Sequence, residues 1–304
     1  ESVHPIGPEL LTAAGHTVVY ADRDMDVIRR EIVDADAVLV RIIELPGSLL
    51  ATAKNLKIVS KHGVGYDNID LDYCKNHGVA VTITPNANSL SVAEHAFTLM
   101  LTLAKNIIPV SNEYRTVGFA AKNHAPGIEM TGKTLGLIGM GRIGKHVLHM
   151  CKDGLDMHVI VYDPYISEVP EGVERVDDLS ELLRRADIVT LHCLLTDETR
   201  KLIDRERLAL MKPTALLINC ARGPIVDEAA LIEALENGRL AGAGLDVTDP
   251  EPVAPDSPLF KLPNVIVTPH YAPTTVESAT RVSKIAAENI NAVLAGQEPV
   301  GRIV

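Results

Sequence analysis

The stretch that decides the fold of this chain is Thr134-Leu135-Gly136-Leu137-Ile138-Gly139-Met140-Gly141-Arg142-Ile143-Gly144. Its first five residues predict a short buried strand, and the glycines that follow form the pattern GxGxxG. After Gly144 the sequence takes a helical period, and a second apolar run, His158 to Tyr162, ends in Asp163. A strand, a glycine turn, a helix and a second strand in this order predict a βαβ unit with parallel strands.

Each glycine of this motif has a physical reason to lack a side chain. Gly139 permits the tight turn, Gly141 lets the backbone approach a pyrophosphate, and Gly144 lets the helix pack on the strand. The helix N-terminus offers free N–H groups and the positive end of a dipole to the phosphates. Asp163 can accept both ribose hydroxyls, and its charge would repel a 2′-phosphate. The motif therefore predicts a dinucleotide site that prefers NAD to NADP, with a purely structural glycine turn as the alternative.

Strand and helix alternate over nearly the whole chain. Short apolar or β-branched runs predict strands at Thr17–Tyr20, Ala37–Val40, Lys57–Ser60 and Val79–Thr84, then at Thr134–Gly139, Met157–Asp163, Ile188–Cys193, Ala215–Cys220, Gly242–Val247 and Val265–Thr268. The alternation predicts an α/β fold of parallel sheets with helices on both faces. A helix predicted at Pro8–Ala14 has no strand before it. Either the first sheet is one strand short or the sequence has lost its true N-terminus, and we favour the loss.

A long, nearly all-apolar helix is predicted from Ser91 to Lys105. Its start, Ser91-Val92-Ala93-Glu94, fits a capping box, in which the serine hydroxyl and the glutamate bond free backbone N–H groups. A helix that is apolar nearly all round is covered on several sides. We expect it to lie in an interdomain core or at a subunit interface, and the two alternatives are compatible.

Composition and charge exclude several classes of protein. The chain has 304 residues, enough for two domains, with 46% hydrophobic and 23% charged residues as in ordinary globular proteins. Its 40 acidic and 29 basic residues leave a net charge of −11, which disfavours nucleic acid and anionic membranes as partners. The four cysteines show no zinc-site spacing, so no metal site is expected, and as reduced thiols they suit the cytosol.

Three polar stretches follow predicted strand ends, where open α/β sheets bind their ligands. They contain Arg222, Glu251 and His270. The planar guanidinium of Arg222 suits a two-pronged bond to a carboxylate. His270 can donate a proton to a carbonyl oxygen and take it back in the reverse reaction, and Glu251, if bonded to the imidazole, would favour its charged form.

The order of these motifs resembles that of the D-isomer-specific 2-hydroxyacid dehydrogenase family, which includes phosphoglycerate, glycerate and D-lactate dehydrogenases. The resemblance starts at Pro5 and is carried by GxGxxG, Asn219-x-x-Arg222-Gly223, Glu251-Pro252 and Pro269-His270. It implies two Rossmann-like, doubly wound domains, of which the substrate domain is discontinuous. We expect residues 1–87 and 277–304 to form the substrate domain and residues 88–276 to form the NAD-binding domain.

The resemblance also assigns roles to individual residues. It implies that Arg222, Glu251 and His270 are catalytic, that Asp246 holds the nicotinamide carboxamide, and that the amides around Arg142 and Ile143 hold the pyrophosphate. The expected cofactor-binding residues are Gly139, Gly141, Arg142, Ile143, Gly144, Asp163, Cys193, Cys220, Ala221 and Asp246. The two cysteines are either packing residues or reactive thiols, and we favour packing.

Lys61-His62-Gly63-Val64-Gly65-Tyr66-Asp67-Asn68 resembles the family's substrate loop. The backbone N–H groups of Val64 and Gly65 are expected to bind the substrate carboxylate, with Asn88 and Arg222 nearby. Lys61 stands where phosphoglycerate dehydrogenases often carry arginine, and His62 is expected either to shape the pocket or to be structural. The chain departs from the family at Asn86, where glycine is common.

The function expected from residues and resemblance together is NAD-dependent hydride transfer to or from a small 2-hydroxy or 2-oxo acid. 3-Phosphoglycerate, hydroxypyruvate and glyoxylate are the candidate substrates. The alternative is an NAD(H)-sensing protein similar to the transcriptional corepressors of this fold. We further expect a cytoplasmic homodimer built around the Ser91–Lys105 helix. Because the sequence ends at Val304, we expect no C-terminal regulatory domain of the kind that some phosphoglycerate dehydrogenases carry.

Overall fold

The computed structural model describes residues 3–124 and 126–304 of the chain. The chain divides into two compact units. Unit 1 consists of Glu1–Asn88 and Pro273–Val304, so it takes residues from both ends of the chain, and unit 2 consists of Ser89–Ala272. The predicted α/β fold with parallel sheets is confirmed.

The elements are numbered in chain order. The α-helices are α1 (Ile6–Ala13), α2 (Met25–Glu31), α3 (Gly47–Leu50), α4 (Leu71–Asn76), α5 (Ser89–Ala104), α6 (Ile107–Val117), α7 (Arg142–Leu155), α8 (Leu179–Arg185), α9 (Arg205–Leu210), α10 (Glu228–Glu236) and α11 (Val276–Leu294). The strands are β1 (Ala37–Val40), β2 (Ile58–Lys61), β3 (Ala80–Thr82), β4 (Thr134–Ile138), β5 (His158–Tyr162), β6 (Val173–Arg175), β7 (Ile188–Leu191), β8 (Leu216–Asn219), β9 (Gly242–Leu245) and β10 (Val265–Val267).

Unit 1 is built on a parallel sheet of three strands in the order β1-β2-β3. Apolar side chains cover both faces of the sheet, and α1 and α11 pack together over one of them. The strand predicted at Thr17–Tyr20 is wrong: this segment is irregular, and Val19 and Tyr20 are more than half exposed. Its β-branched residues fit a strand, but no strand in the described part of unit 1 pairs with it. A further strand before α1 stays a prediction.

Unit 2 is built on a parallel sheet of seven strands in the order β10-β9-β8-β7-β4-β5-β6. All six strands predicted for this series are present. The seventh, β6, was not predicted because it is only three residues long, Val173-Glu174-Arg175, and two of them are exposed, so no apolar run marks it. Since every strand is parallel, the carboxyl ends of all seven lie along one edge of the sheet.

The long helix α5 begins at Ser89, so the capping box predicted at Ser91 is wrong. Ser91 lies buried in the first turns of the helix, and its hydroxyl donates a hydrogen bond to the carbonyl oxygen of Ala272 at 2.6 Å. Much of the apolar surface of α5 packs on α7, β8 and β9 within unit 2. The next helix, α6, has no buried residue, and its mixed polar and apolar sequence was not recognised as helical.

None of the helices in residues 3–124 and 126–304 combines the length and the apolarity needed to cross a bilayer.

Candidate active site

The glycine loop between β4 and α7 has the shape that the motif predicts. Gly139 adopts a φ of +89°, and a Cβ there would lie 2.8 Å from the backbone nitrogen of Cys193. A Cβ at Gly144 would lie 2.3 Å from the carbonyl oxygen of Gly139, so α7 packs directly on the loop. At Gly141, in contrast, a Cβ would meet nothing within 4 Å. The loop is therefore closely packed beneath and open above Gly141, as a backbone cradle for a pyrophosphate requires.

Helix α7 begins at Arg142 beside this opening. Its N-cap, Gly141, provides no side-chain acceptor for the first N–H groups, and no acidic residue lies in the first turn. A helix of 14 residues with a free N-terminus carries a positive partial charge there, which attracts phosphate. The residues present thus fit the dinucleotide that the motif predicts.

Asp163 follows β5 and holds the glycine loop in place. Its Oδ2 accepts a hydrogen bond from the backbone N–H of Met140 at 2.8 Å, and its Oδ1 accepts one from the N–H of Tyr165 at 3.0 Å. Each carboxylate oxygen has a second lone pair, so contact with ribose hydroxyls remains open. Asp163 therefore combines a structural role with its predicted role in binding the cofactor.

His192 and Cys193, which follow β7, pack against the glycine loop at Gly139, and Cys220 follows β8. Burial raises the pKa of the Cys193 thiol to about 11 and the pKa of the Cys220 thiol well above its usual value, the latter with a contribution from the charge of Asp246. Both thiols stay protonated at neutral pH, as the packing interpretation requires. Burial also lowers the pKa of His192 to about 3, and its Nδ1 has no hydrogen-bond partner among the described residues.

Glu251 and His270 meet at the edge of the sheet where β9 and β10 end. Oε1 of Glu251 lies 2.7 Å from Nδ1 of His270, and the two side chains are 39% and 31% exposed. This hydrogen bond leaves Nε2 of the ring as the nitrogen that can exchange a proton with a ligand. His270 has a φ of +52°, a left-handed conformation that a residue with a Cβ rarely adopts.

Asp246 holds the loop that carries His270. Its Oδ1 accepts hydrogen bonds from the hydroxyl of Thr268 at 2.5 Å and from the N–H of Tyr271 at 2.7 Å, and its Oδ2 accepts one from the N–H of Ala272 at 2.9 Å. Its backbone carbonyl accepts the N–H of His270 at 2.8 Å. Asp246 is buried, with 1% of its surface exposed. Its hydrogen bonds hold the loop in the conformation that gives His270 its positive φ.

Arg222 leaves β8 at the same edge of the sheet and is partly exposed. Asn219 brackets its backbone: Nδ2 of Asn219 donates to the carbonyl of Arg222 at 2.9 Å, and Oδ1 accepts from the N–H of Ala221 at 3.0 Å. A Cβ at Gly223 would lie 1.9 Å from the carbonyl oxygen of Thr248, so only glycine allows this turn. The Asn-x-x-Arg-Gly motif therefore fixes the backbone at Arg222, and one guanidinium N–H donates to the carbonyl of Ala221 at 2.7 Å.

Unit 1 places its candidate residues after β1, β2 and β3. Lys61 is buried, and its ammonium donates hydrogen bonds to the carbonyl of Arg41 and to Oδ1 of Asn68, so it joins two loops. His62 lies 3.0 Å from the hydroxyl of Ser283, and burial together with the charges of Arg41 and Lys61 lowers its pKa to about 4.

The remaining substrate candidates in unit 1 differ in burial. Val64 and Gly65 are partly exposed, and Thr84 donates two hydrogen bonds to the carbonyl of the neighbouring Gly63. Asn88 is 8% exposed, and its Oδ1 has no donor among the described residues. Asn86, where the family commonly has glycine, has a φ of +64°, which asparagine tolerates better than most residues.

The structure brings together, within unit 2, the glycine loop, Asp163, Arg222 and the Glu251–His270 pair along one edge of a parallel sheet. Sequence reasoning missed His95 and Thr268, which contact Asp246 and each other. Thr268 precedes the Pro-His motif directly, and that position is the only signal that pointed to it. His95 lies on a helix that looked purely apolar.

No group of three or more His, Cys, Asp or Glu side chains that could hold a metal occurs in residues 3–124 and 126–304.

The fold and the glycine loop define a Rossmann-type, dinucleotide-binding α/β protein. Comparison with known families is more specific: residues 97–272 match the NAD binding domain of the D-isomer specific 2-hydroxyacid dehydrogenases. The chain is 42% identical over 301 residues to a D-3-phosphoglycerate dehydrogenase of Methanocaldococcus jannaschii, covering 98% of this chain and 57% of that protein. It is 39% identical over 308 residues to a glyoxylate reductase of Thermofilum pendens, covering 96% and 89%.

Solved structures agree with these matches. The crystal structure of D-lactate dehydrogenase from Aquifex aeolicus, complexed with NAD and lactic acid, superposes with a TM-score of 0.88 at 34% identity, covering 96% of this chain and 92% of that one. The chain belongs to the D-isomer specific 2-hydroxyacid dehydrogenase family, whose shared domain binds NAD. It spans little more than half the length of the phosphoglycerate dehydrogenase that it matches.

Proposed function

We propose that this protein is an NAD-dependent dehydrogenase that interconverts a small 2-hydroxy acid and its 2-oxo acid. The observation that carries the proposal is the 2.7 Å contact between Glu251 and His270 at the sheet edge to which the glycine loop and Arg222 also belong. A proton donor, a carboxylate-binding cation and a nicotinamide site are the three components that reduction of a 2-oxo acid needs. No observation on the described residues favours the sensing-corepressor hypothesis.

His270 is the acid and base of this proposal. The chemistry that NAD(H) supplies when bound is hydride transfer at C2 of the acid. His270 donates a proton from Nε2 to the C2 oxygen during reduction and accepts it during oxidation. Glu251 accepts a hydrogen bond from Nδ1–H, which fixes the orientation of the ring and leaves Nε2 toward the ligand. Proton transfer by a group positioned in this way typically accelerates a reaction by about 10²- to 10⁴-fold.

Arg222 is the carboxylate-binding cation. Its fork of N–H groups bonds both oxygens of the acid, while Asn219 fixes the backbone from which the side chain extends. In unit 1, the N–H groups of Val64 and Gly65 are further candidates for carboxylate binding. Asn88 offers a buried oxygen without a donor, which suits contact with a hydroxyl group of the substrate.

The candidate substrates are 3-phosphoglycerate, hydroxypyruvate and glyoxylate. Relatives at similar identity carry the names of a phosphoglycerate dehydrogenase and a glyoxylate reductase, so their names do not decide between these acids. The positive charges of Arg41 and Lys61 beside His62 favour an acid with a second anionic group. Lys61 acts in this proposal through its charge, since its ammonium is engaged with Arg41 and Asn68.

A homodimer is the second part of the proposal. Helix α6 and the 3₁₀ turn after it expose a row of large apolar side chains, among them Ile107, Tyr114, Val117 and Phe119, which are 53–73% exposed. Exposed apolar side chains clustered on one helix mark an interaction surface. Because α5 is largely covered by unit 2 itself, α6 replaces it as the proposed centre of the interface. The cytosolic location stays a prediction.

A panel of 2-oxo acids tests the catalytic proposal. Purified protein is mixed with NADH and, in turn, glyoxylate, pyruvate, hydroxypyruvate, phosphohydroxypyruvate and sulfopyruvate, and the loss of NADH absorbance is followed. We expect turnover with at least one acid and a lower KM for those with a second anionic group. Binding of NADH without turnover of any acid would contradict the dehydrogenase proposal and favour the sensing alternative.

A further inference from the structure

A histidine on the long helix of unit 2 contacts the system that holds the His270 loop. His95 lies on α5, with 18% of its side chain exposed. Its Nε2 is 3.0 Å from the hydroxyl oxygen of Thr268 and 3.5 Å from Oδ1 of Asp246. Its ring also lies beside that of Tyr271, tilted by 60° at a centroid distance of 6.4 Å. His95 thus touches the loop on both sides of His270.

The hydrogen-bond count assigns the proton on His95. The hydroxyl of Thr268 has one hydrogen, and the oxygen of Asp246 that it contacts at 2.5 Å can only accept. The hydroxyl oxygen is therefore the acceptor toward His95, so Nε2 of His95 carries a hydrogen and donates it. Two hydrogen bonds therefore run in series: His95 donates to the hydroxyl of Thr268, and that hydroxyl donates to Asp246.

We propose that His95 is a positioning residue for His270, acting through Thr268 and Asp246. This inference rests on the proposed function. The φ of +52° at His270 persists only if its surroundings hold it. Asp246 bonds the N–H groups of the loop, and the Thr268 hydroxyl bonds Asp246 in turn. The N–H of His95 fixes the direction of that hydroxyl. These hydrogen bonds together set the orientation in which His270 contacts both Glu251 and the substrate.

Loss of the N–H donor should affect chemistry more than binding. Without it, the Thr268 hydroxyl can rotate away from Asp246. The loop then becomes more mobile at His270, whose ring must be positioned closely against the substrate. A misplacement of about 1 Å in a reacting group costs about 10²-fold in rate. We therefore expect His95→Leu to lower kcat by about 10- to 100-fold. The dissociation constant of NADH should stay within about threefold, because the glycine loop and Asp163, which bind the pyrophosphate and the ribose, lie on other elements and the Asp246 side chain itself is retained.

Conservative variants separate positioning from general packing. Gln at position 95 keeps an N–H donor of similar reach, and Ser at position 268 keeps the hydroxyl. We expect His95→Gln and Thr268→Ser to retain most of kcat, whereas His95→Leu and Thr268→Val lose it. The matched control is His149→Leu, which removes a surface histidine that pairs with Asp153 on α7 and should leave kcat unchanged. Thermal unfolding of each variant identifies any that fails to fold. If a His95 variant fails, comparison of Thr268→Ser with Thr268→Val decides whether the hydroxyl positions His270.

Two measurements complete the test, and the second of them needs no substrate. The first is the single-turnover rate of NADH oxidation with the best 2-oxo acid of the panel. The second is the nitrogen NMR spectrum of protein with labelled histidines, in which the His270 ring signals should change in His95→Leu and return in His95→Gln. Equal rates and unchanged signals in His95→Leu would overturn the inference. If the wild-type protein reduces no acid, the proposed function fails, and the NMR comparison alone decides whether His95 positions His270.

Discussion

Replacing Gly144 by alanine tests whether the glycine loop binds the cofactor as its geometry indicates. The new Cβ would lie 2.3 Å from the carbonyl oxygen of Gly139, whereas ordinary contact begins at 3.4 Å, so the gap is about 1.1 Å too small. The colliding atom belongs to the backbone, so α7 must move away from the loop that it supports. Overpacking of this kind costs about 1–3 kcal/mol of unfolding free energy. Moving α7 also displaces the backbone N–H groups that bind the pyrophosphate, and losing one hydrogen bond to a charged group costs about 1.5–3 kcal/mol.

Gly154 provides the matched control in the same helix. A Cβ at Gly154 would meet nothing within 4 Å, so alanine fits there. The free energy of unfolding of the Gly154→Ala variant should be higher by about 0.5–1 kcal/mol, because glycine is a poor helix former. The assays are urea unfolding and fluorescence titration with NADH. We expect Gly144→Ala to unfold at a lower urea concentration and to bind NADH about 10- to 100-fold more weakly. Gly154→Ala should bind NADH normally. Tight NADH binding by Gly144→Ala would refute the reasoning.

Two further predictions concern the substrate and acid stability. Arg222→Lys should raise KM for the 2-oxo acid and lower kcat, because an ammonium cannot replace a two-pronged guanidinium; steady-state kinetics that match the wild type would contradict this. His192 has a folded pKa of about 3 against 6.5 when unfolded, so the unfolded state binds the extra proton below pH 6.5. The contribution of neutral His192 to the free energy of unfolding is therefore complete above pH 6.5 and decreases as the pH falls. At pH 5 the free energy of unfolding is lower by about 2 kcal/mol. Urea unfolding at pH 7 and pH 5 should show a smaller loss in His192→Asn, and equal losses would count against the buried-histidine account.

Most of the fold could be predicted because its strands are buried on both faces. Apolar runs such as Ile188–Leu191 are recognisable without knowledge of their neighbours. The errors arose where pairing or tertiary contact decides the structure. Thr17–Tyr20 has the residues of a strand but no partner strand in the described part of unit 1, and β6 has a partner but no apolar run. Ser91 resembles a cap in sequence, yet its hydroxyl bonds Ala272, 181 residues away.

The candidate site was predictable where a motif encodes local geometry. The glycine loop and the turn at Arg222 depend on residues close in sequence, so their conformations follow from the motif. The support of His270 depends instead on residues that are distant in the chain. Asp246 precedes it by 24 residues, and His95 lies on α5. A single histidine in an apolar helix carries no sign of its partner, so only the folded structure reveals the contact with Thr268.

The measurement that tests the central claim most directly is the kcat of His270→Ala for reduction of the best 2-oxo acid of the panel, with NADH binding measured on the same sample. The account predicts a fall in kcat of at least about 10²-fold, the usual contribution of a positioned general acid. NADH affinity should stay close to that of the wild type, since the glycine loop and Asp163 are unchanged. Near-wild-type turnover by His270→Ala would contradict the assignment of His270 as the proton donor.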